Sequence, residues 1–249
     1  MRHFVSIILA AALCVTCNAK PQMYKVKVVK EYPHDITSYT QGLFFRDGDM
    51  YESTGQWGES TFRKVNLADG RALRRFNFER KYFVEGSVML DGKLFILTWT
   101  NKVAFVYDAN TLEYLNTYSY PREGWGLTTD GKSLIASDGT SKLYFMDSSF
   151  KIGRTLNVTL DGRPVRYLNE LEWIDGKIWA NVYQTDLIYI IDPRSGKVES
   201  VVSCAGLLPS KLRSNETDVL NGIAYDENSG KIYLTGKYWP RLYEVELIR

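Results

Sequence analysis

The sequence has 249 residues, and its 31 basic side chains stand against 29 acidic ones, so the net charge of +2 gives no bulk attraction to nucleic acid or to a membrane surface. Two histidines, His3 and His34, and three cysteines, Cys14, Cys17 and Cys204, are too few for a His-rich metal site or a disulfide framework.

The first 19 residues have the pattern of a signal peptide. A short basic start is followed by an uncharged apolar run over residues 4–15, which is too short for a membrane span, and by small residues ending at Ala19. Cleavage there is predicted, and residues 20–249 are expected to form one exported domain, periplasmic or secreted. A lipid anchor on Cys17 is the alternative, and membrane attachment is expected in that case alone. With Cys204 as its one remaining cysteine, the chain is compatible with the bacterial periplasm.

The rest of the chain reads as strands separated by turns, with one short helical patch predicted at residues 209–213. The dipeptide Asp-Gly suits a tight hairpin because both of its residues tolerate positive φ. It begins at Asp47, Asp91, Asp130 and Asp175. These positions are separated by 44, 39 and 45 residues, and a stretched fifth copy lies at residues 226–230.

A repeat of this length with several strands in each unit is typical of propeller blades. Five copies predict an all-β fold, a five-bladed β-propeller with four strands in each blade. The last strand, residues 242–247, is expected to pair with an N-terminal strand at residues 24–29. That pairing would close the ring and hide the strand edges.

Polar residues recur just before the hairpins. They are Gln41, Glu85, Asn169 and Asn221. In a propeller the first strand of each blade lines the central channel, so these side chains are expected to converge near the axis. Short polar residues at such positions can also serve to satisfy backbone groups, and the pattern alone does not decide between the two interpretations.

Several enzyme classes can be excluded from the residues present. The chain has no Gly-rich phosphate loop and no dinucleotide fingerprint. A mechanism of the Ser-His-Asp or Cys-His type would depend on His34, which precedes the first blade and is expected to be structural. Carboxylate, amide, lysine and aromatic chemistry remains.

An ordered series of phrases, running from His34 to the C-terminus, resembles the glutaminyl-peptide cyclotransferases of the plant and bacterial propeller type. The phrases include Tyr39-Thr40-Gln41-Gly42-Leu43, Glu52-Ser53-Thr54-Gly55, Phe83-Val84-Glu85-Gly86, Trp125-Gly126-Leu127-Thr128-Thr129-Asp130-Gly131, Leu168-Asn169-Glu170-Leu171-Glu172 and Leu234-Thr235-Gly236-Lys237. The resemblance implies the same five-bladed fold. It also implies an enzyme that converts N-terminal glutamine of peptides and proteins to pyroglutamate and releases ammonia.

The resemblance further implies a set of site residues. The residues that match the family's catalytic carboxylate, asparagine and lysine are Glu85, Asn169 and Lys237. The residues that match its substrate-binding positions are Tyr39, Gln41, Phe83, Trp99, Trp125 and Tyr183. Many relatives have Phe in place of Tyr39 and Trp in place of Tyr183. The tyrosine at 183 keeps an aromatic wall but adds a hydroxyl group.

The implied reaction is an intramolecular aminolysis, in which the substrate's α-amine attacks its own side-chain amide. Glu85, partly desolvated beside aromatic residues, is expected to move a proton from the amine to the leaving nitrogen. Gln41, Asn169 and Lys237 are candidates for holding the amide or stabilising the oxyanion, with the division of roles left open. No catalytic metal or cofactor is expected, although the resemblance permits a structural ion such as Ca²⁺ in the channel. A monomer is expected.

Two alternatives remain open from the sequence. An exported propeller without enzymatic activity could use the same aromatic channel mouth to bind a ligand, although Glu85, Asn169 and Lys237 together argue against it. A lactonase-type propeller hydrolase would need several carboxylates and amides around one metal ion. Sensitivity to a chelator would distinguish that hydrolase from a cyclotransferase.

Overall fold

Strands and turns make up almost all of the described chain. The computed structural model describes residues 20–249, and the predicted signal peptide with Cys17 lies outside the described residues. Within that range the chain forms 22 strands and one 3₁₀ helix, Ser210–Leu212, inside the predicted helical patch. No helical segment of residues 20–249 has the length and hydropathy needed to span a membrane.

Five blades of four strands account for 20 of these strands, so the predicted five-bladed β-propeller is confirmed. Strand β1 (Gln22–Pro33) precedes the first blade. Blade 1 contains β2 (Thr40–Arg46), β3 (Asp49–Thr54), β4 (Thr61–Val65) and β5 (Ala72–Asn77). Blade 2 contains β6 (Val84–Leu90), β7 (Lys93–Thr98), β8 (Val103–Asp108) and β9 (Tyr114–Ser119). Blade 3 contains β10 (Leu127–Thr129), β11 (Leu134–Ser137), β12 (Lys142–Met146) and β13 (Ile152–Asn157).

A small extra hairpin follows blade 3 and consists of β14 (Thr159–Leu160) and β15 (Arg163–Pro164). Blade 4 contains β16 (Leu168–Ile174), β17 (Lys177–Val182), β18 (Leu187–Ile191) and β19 (Val198–Ser203). Blade 5 contains β20 (Leu220–Asp226), β21 (Lys231–Gly236) and β22 (Arg241–Ile248), with β1 as its fourth strand.

The N-terminal strand β1 closes the ring. It pairs antiparallel with β22, from Lys25 opposite Ile248 to Pro33 opposite Arg241, so the predicted pairing of the two ends of the domain is confirmed. The start of β1 also pairs in parallel with β19 of blade 4. This second pairing, which was not predicted, joins blades 4 and 5 in one continuous sheet.

Five apolar clusters lie between neighbouring blades and hold the ring together. Between blades 1 and 2, for example, the buried side chains of Phe44 and Phe62 pack in one cluster with Val84 and Ile96. Each such side chain contributes about 1.5–3 kcal/mol when it is fully buried. The inner strands also contact one another in ring order, β2 with β6, β6 with β10, β10 with β16, β16 with β20 and β20 with β2.

The hairpin turns follow the Asp-Gly pattern with one exception. The φ values are 54° for Asp47, 50° for Asp91 and 48° for Asp175. Each of these aspartates precedes a glycine with positive φ, as a type I′ turn requires. Asp130 instead begins a longer loop, in which its carboxylate accepts two backbone N–H groups. The pair Asp161-Gly162, which lies outside the repeat, forms the turn of the extra hairpin.

A β-bulge at the start of the inner strand carries the recurring polar residue in four blades. The register between the first and second strands shifts between Thr40 and Gly42, Val84 and Ser87, Leu168 and Leu171, and Leu220 and Ile223. These short segments contain Gln41, Glu85, Asn169 and Asn221. A bulge leaves one residue outside the regular ladder and redirects its side chain, and bulges are frequent beside active sites.

Glycine follows the bulged polar residue where two inner strands approach closely. A Cβ atom on Gly42 would lie 2.7 Å from the backbone nitrogen of Ser87 in the next blade, so a larger residue would force the strands apart. Blade 4 has Glu170 at the corresponding position. Its buried carboxylate accepts the backbone N–H groups of Leu43 in blade 1, at 3.3 Å, and of Ile223 in blade 5, at 2.9 Å. Glu170 therefore connects three blades near the axis.

Candidate active site

One pocket brings together all nine side chains that the sequence singled out. The cavity has a volume of about 180 Å³. Its lining consists of Tyr39, Gln41, Phe83, Glu85, Trp99, Trp125, Asn169, Tyr183 and Lys237. The roles of these residues stay predictions, but their proximity no longer depends on the resemblance.

Two kinds of position supply the lining. Most of the residues lie at or just before the start of an inner strand, as Glu85 does on β6. The others lie just after the end of a second strand, namely Trp99 after β7, Tyr183 after β17 and Lys237 after β21. Because adjacent strands of a blade are antiparallel, the start of the first and the end of the second lie on the same face of the ring. Residues far apart in the chain meet there.

Glu85 is buried in this pocket and is 4% exposed. Gln41 Nε2 donates to Glu85 Oε1 at 2.9 Å, and Gln41 Oε1 accepts from Asn221 Nδ2 at 3.3 Å. Asn221 is held in turn by its donation to the carbonyl oxygen of Thr40, at 2.9 Å. These bonds orient the Gln41 amide so that its N–H group points at the carboxylate. Among residues 20–249 no group donates a hydrogen bond to Glu85 Oε2.

Burial has opposite effects on the pKa values of Glu85 and Lys237 in the pocket. It raises the pKa of Glu85 well above its usual range, while the charge of Lys237 opposes this effect. It lowers the pKa of Lys237 to about 8, while the charge of Glu85 opposes that shift. Lys237 Nζ lies 4.3 Å from the ring centre of Tyr39 and 5.2 Å from that of Tyr183. The pocket therefore holds a buried carboxyl group with a raised pKa, together with a lysine whose ammonium group lies over two aromatic rings.

Asn169 brings an unsatisfied acceptor to the same cavity. Its side chain is 2% exposed, and its Oδ1 has no hydrogen-bond partner among residues 20–249. A buried acceptor left unpaired costs about 1–3 kcal/mol. An N–H group of a bound substrate would satisfy it.

Aromatic rings form the walls of the pocket. Phe83 makes edge contacts with Trp99, at 5.5 Å between ring centres, and with Tyr39, at 6.0 Å. Trp125 makes an edge contact with Tyr183 at 5.6 Å. Tyr183 thus lies in the wall where the resemblance places a tryptophan. Edge-to-face pairs favour particular ring orientations, so this wall is pre-formed.

Three polar residues beside the pocket were not predicted as site residues. Glu123 accepts the indole N–H groups of both pocket tryptophans, and the negative charge of Asp218 contributes to raising the pKa of Tyr39, after the larger effect of burial. Asn221 orients Gln41, as described above. Asn221 had a detectable signal, because it occupies the repeated polar position before the fifth hairpin. Glu123 and Asp218 lie in loops, where the repeat predicts no direction for a side chain.

His34 and Cys204 take no part in this pocket. The His34 Nδ1 lies 2.7 Å from the carbonyl oxygen of Trp239 and its Nε2 lies 3.0 Å from Glu52, within a separate buried cluster. Cys204 is buried, and burial raises its pKa to about 12, which keeps the thiol in its unreactive form.

The structural ion that the resemblance permits stays a prediction. Within residues 20–249 no group of three or more His, Cys, Asp or Glu side chains is placed to hold a metal. The axial carboxyl groups of Glu170 and Glu172 accept backbone N–H groups from neighbouring blades.

Comparisons with known proteins identify the family. The model of the glutamine cyclotransferase family matches residues 3–247. The chain belongs to this family. A glutaminyl-peptide cyclotransferase of Arabidopsis thaliana is 41% identical over 228 residues, which cover 90% of this chain and 71% of the relative. The crystal structure of the Myxococcus xanthus glutaminyl cyclase matches with a TM-score of 0.86 and 34% identity, over 92% of this chain and 98% of that one.

The predicted activity, that of a glutaminyl-peptide cyclotransferase, is confirmed by these matches. A protein of unknown function from Bacteroides caccae matches with a TM-score of 0.50 and 16% identity over 66% of each chain, a likeness that concerns the fold alone.

Proposed function

We propose that this pocket cyclises the N-terminal glutaminyl residue of peptides and proteins without a catalytic metal, with Glu85 as the proton carrier. The buried carboxylate of Glu85 carries this proposal. One of its oxygens is held by Gln41, the other has no donor among residues 20–249, and both lie in a pocket that also contains Lys237.

The reaction forms one bond and breaks another. The substrate's α-amine attacks the carbonyl carbon of its own side-chain amide, and the new C–N bond closes the five-membered lactam. The bond to the amide nitrogen then breaks, and ammonia leaves. One proton must leave the attacking nitrogen and one must reach the departing nitrogen, and a single carboxyl group can perform both transfers in turn.

Glu85 is suited to these transfers because its raised pKa brings its protonation equilibrium toward neutral pH. General acid–base catalysis of this kind contributes about 10²–10⁴-fold to the rate. The hydrogen bond from Gln41 keeps the carboxyl group in one orientation while the proton moves.

Lys237 is assigned to the oxyanion that develops on the carbonyl oxygen. With a pKa of about 8 it is mostly protonated at neutral pH, and a preorganised donor of this kind lowers the barrier by about 2.7–4 kcal/mol. Asn169 Oδ1 is assigned to an N–H group of the side-chain amide, which would satisfy the unpaired acceptor. This division leaves Gln41 to position Glu85.

The aromatic walls serve orientation. Ring closure is already unimolecular, so the enzyme gains from holding the glutaminyl side chain in its cyclising conformation. The rings of Phe83, Trp99 and Trp125 surround the polar groups and limit the access of water to them. A drier site also strengthens the electrostatic effect of Lys237.

We also propose that the chain is exported and that its first 19 residues are removed. The enzyme would then act as a monomer on peptide substrates outside the cytoplasm. The position of β1 supports the boundary, because pairing with β19 begins at Gln22, three residues after Ala19. The N-terminal mass of the protein recovered from a periplasmic fraction would test it. A mass starting at Cys17 with an added lipid would establish the tethered form instead.

Ammonia release from a glutaminyl dipeptide by the purified protein, with and without a chelator, tests the activity and its metal independence. We expect release of ammonia, and loss of one ammonia from the mass of the peptide, unaffected by the chelator. Loss of activity in the chelator would reject the metal-free mechanism. No release from any N-terminal glutamine peptide would reject the activity and favour a binding scaffold.

A further inference from the structure

Glu123 connects two walls of the pocket although it is not part of the lining. Its Oε2 accepts the indole N–H group of Trp99 at 2.9 Å and that of Trp125 at 3.0 Å. Trp99 follows β7 of blade 2 and Trp125 precedes β10 of blade 3, so one oxygen atom joins indoles from two blades. The carboxylate itself lies on the exposed rim.

The backbone on either side explains how Glu123 reaches both rings. Gly124 N–H donates to the carbonyl oxygen of Thr98 at 3.0 Å, immediately before Trp99 in the chain. A Cβ atom on Gly124 would lie 2.7 Å from that carbonyl oxygen, so the close approach requires glycine. The carbonyl oxygen of Trp125 accepts the N–H group of Gly86, also in blade 2, at 2.7 Å. The loop is thus clamped onto blade 2.

We infer that Glu123 is a positioning residue, whose carboxylate fixes the angle of both indoles and places a negative charge near Glu85. This inference rests on the proposed function, because the angle of the rings matters to catalysis only if the glutaminyl side chain binds between them. Hydrogen bonds to a carboxylate are about twice as strong as those between neutral groups. A residue with an uncharged acceptor would hold the same rings less firmly.

The charge of Glu123 has a second consequence. The ionisable groups that act on Glu85 are Lys237, Glu123 and Tyr39, and Glu123 is the one whose negative charge raises the Glu85 pKa further. Removal of that charge would lower the pKa of Glu85. The acidic limb of the kcat/KM profile, which follows ionisation of Glu85, would then move to lower pH.

Three variants of the full enzyme test the inference, with ammonia release and the indole N–H band in the ultraviolet resonance Raman spectrum as separate readouts. Glu123→Ala should lower kcat/KM about 10-fold, because misplaced walls loosen the orientation of the substrate, and should shift the indole band to the position of a weaker hydrogen bond. Glu123→Gln keeps an acceptor, so it should recover most of the activity while retaining the shift of the acidic limb.

Glu113→Gln is the matched control, because it removes one exposed carboxylate of blade 2 whose side chain makes no hydrogen bond within residues 20–249. It should leave kcat/KM, the pH profile and the indole band unchanged. Circular dichroism of each variant checks the fold, and Glu123→Gln keeps the test available if the alanine variant unfolds.

Wild-type kcat/KM in Glu123→Ala would overturn the inference, and so would a loss of activity with an unaltered indole band. The proposed function is tested by a different measurement. If the wild-type enzyme releases no ammonia, the proposed function is rejected, independently of the position of the indole band. An active wild type, with a displaced band and reduced activity in Glu123→Ala, supports both.

Discussion

Two buried carboxylates in neighbouring blades, Glu52 and Glu85, have opposite surroundings. They are 1% and 4% exposed. Glu52 on β3 has three hydrogen-bond partners, His34 at 3.0 Å, Thr40 at 2.7 Å and Ser38 at 3.2 Å, and it forms an ion pair with Arg63 at 3.6 Å. Glu85 on β6 has one donor among residues 20–249, the amide of Gln41.

The protonation states follow from this difference. Burial alone would raise the pKa of Glu52, but His34 and Arg63 hold it at about 2. Both ring nitrogens of His34 lie against acceptors, which favours the imidazolium and raises its pKa despite burial. For Glu85, burial dominates and the proton is retained to higher pH. The charged partners His34 and Arg63 therefore keep the buried Glu52 ionised as a structural group, whereas Glu85 has no ion-pair partner among residues 20–249 and its pKa is raised.

The largest expected effect is that of Glu85→Gln on turnover. We expect kcat/KM for a glutaminyl dipeptide to fall about 10²–10⁴-fold, because the amide cannot exchange the proton. Stability should be unchanged or higher, because a carboxyl group whose pKa rises on folding destabilises the fold at neutral pH. Steady-state kinetics and thermal unfolding measure the two quantities.

Glu172→Gln is the control for this prediction. Burial raises the pKa of Glu172 to about 8, but its carboxylate accepts from Tyr225 and Thr128 and does not line the pocket. Its replacement should leave turnover close to that of the wild type. Near-normal activity in Glu85→Gln would contradict the assignment of Glu85 as the proton carrier. An equal loss of activity in Glu172→Gln would contradict it too, because a buried carboxyl group outside the pocket would then matter as much as one inside it.

Glu52→Gln should have the opposite outcome. It leaves the buried His34 without its carboxylate partner and Arg63 with Asp35 as its remaining ion-pair partner among residues 20–249, and breaking a buried ion pair costs about 3–5 kcal/mol. The free energy of unfolding in urea should fall by this amount, while kcat/KM of the folded fraction stays near the wild-type value. A variant that is stable but inactive would show that the cluster around Glu52 belongs to the catalytic machinery.

Acid titration tests the same difference between Glu52 and Glu85. The folded-state pKa of Glu52, about 2, lies below its ordinary value of 4.5, so its contribution to stability is present above pH 4.5 and is lost as the pH falls toward 2. Glu85 takes up its proton at higher pH. Activity should therefore decline on acidification while circular dichroism still reports a folded protein, and Glu52→Gln should lack this part of the acid dependence of stability.

The sequence predicts the blade count and the ring closure because the turn signal is local and recurs. Asp47, Asp91 and Asp175 adopt the expected geometry wherever two strands follow directly on each other. The extra hairpin at Asp161-Gly162 was missed because the same local signal also forms turns outside the repeat. The parallel pairing of β1 with β19 joins residues that no local pattern relates.

For the pocket, the sequence predicts which residues meet but not how they are oriented. The polar position before each hairpin, together with the family resemblance, brings Gln41, Glu85 and Asn169 to one end of the axis. Asn221 holds the same position, yet nothing in its spacing indicates that it turns the amide of Gln41 toward Glu85. That orientation depends on approaches between blades at the bulges.

The smallest expected effect is that of Asn221→Ala. This variant tests the hydrogen bonds that connect the cluster around Glu52 with the pocket around Glu85. Thr40 donates its hydroxyl to Glu52, and its carbonyl oxygen accepts from Asn221, which also donates to Gln41. Losing Asn221 frees the amide of Gln41 to rotate, so we expect kcat/KM to fall about 10-fold, since catalytic groups must keep their orientation. If Asn221 acts through Gln41, adding Asn221→Ala to Gln41→Ala should cause little further loss, because coupled residues are not additive. Fully additive losses would mean that Asn221 affects the pocket by another route.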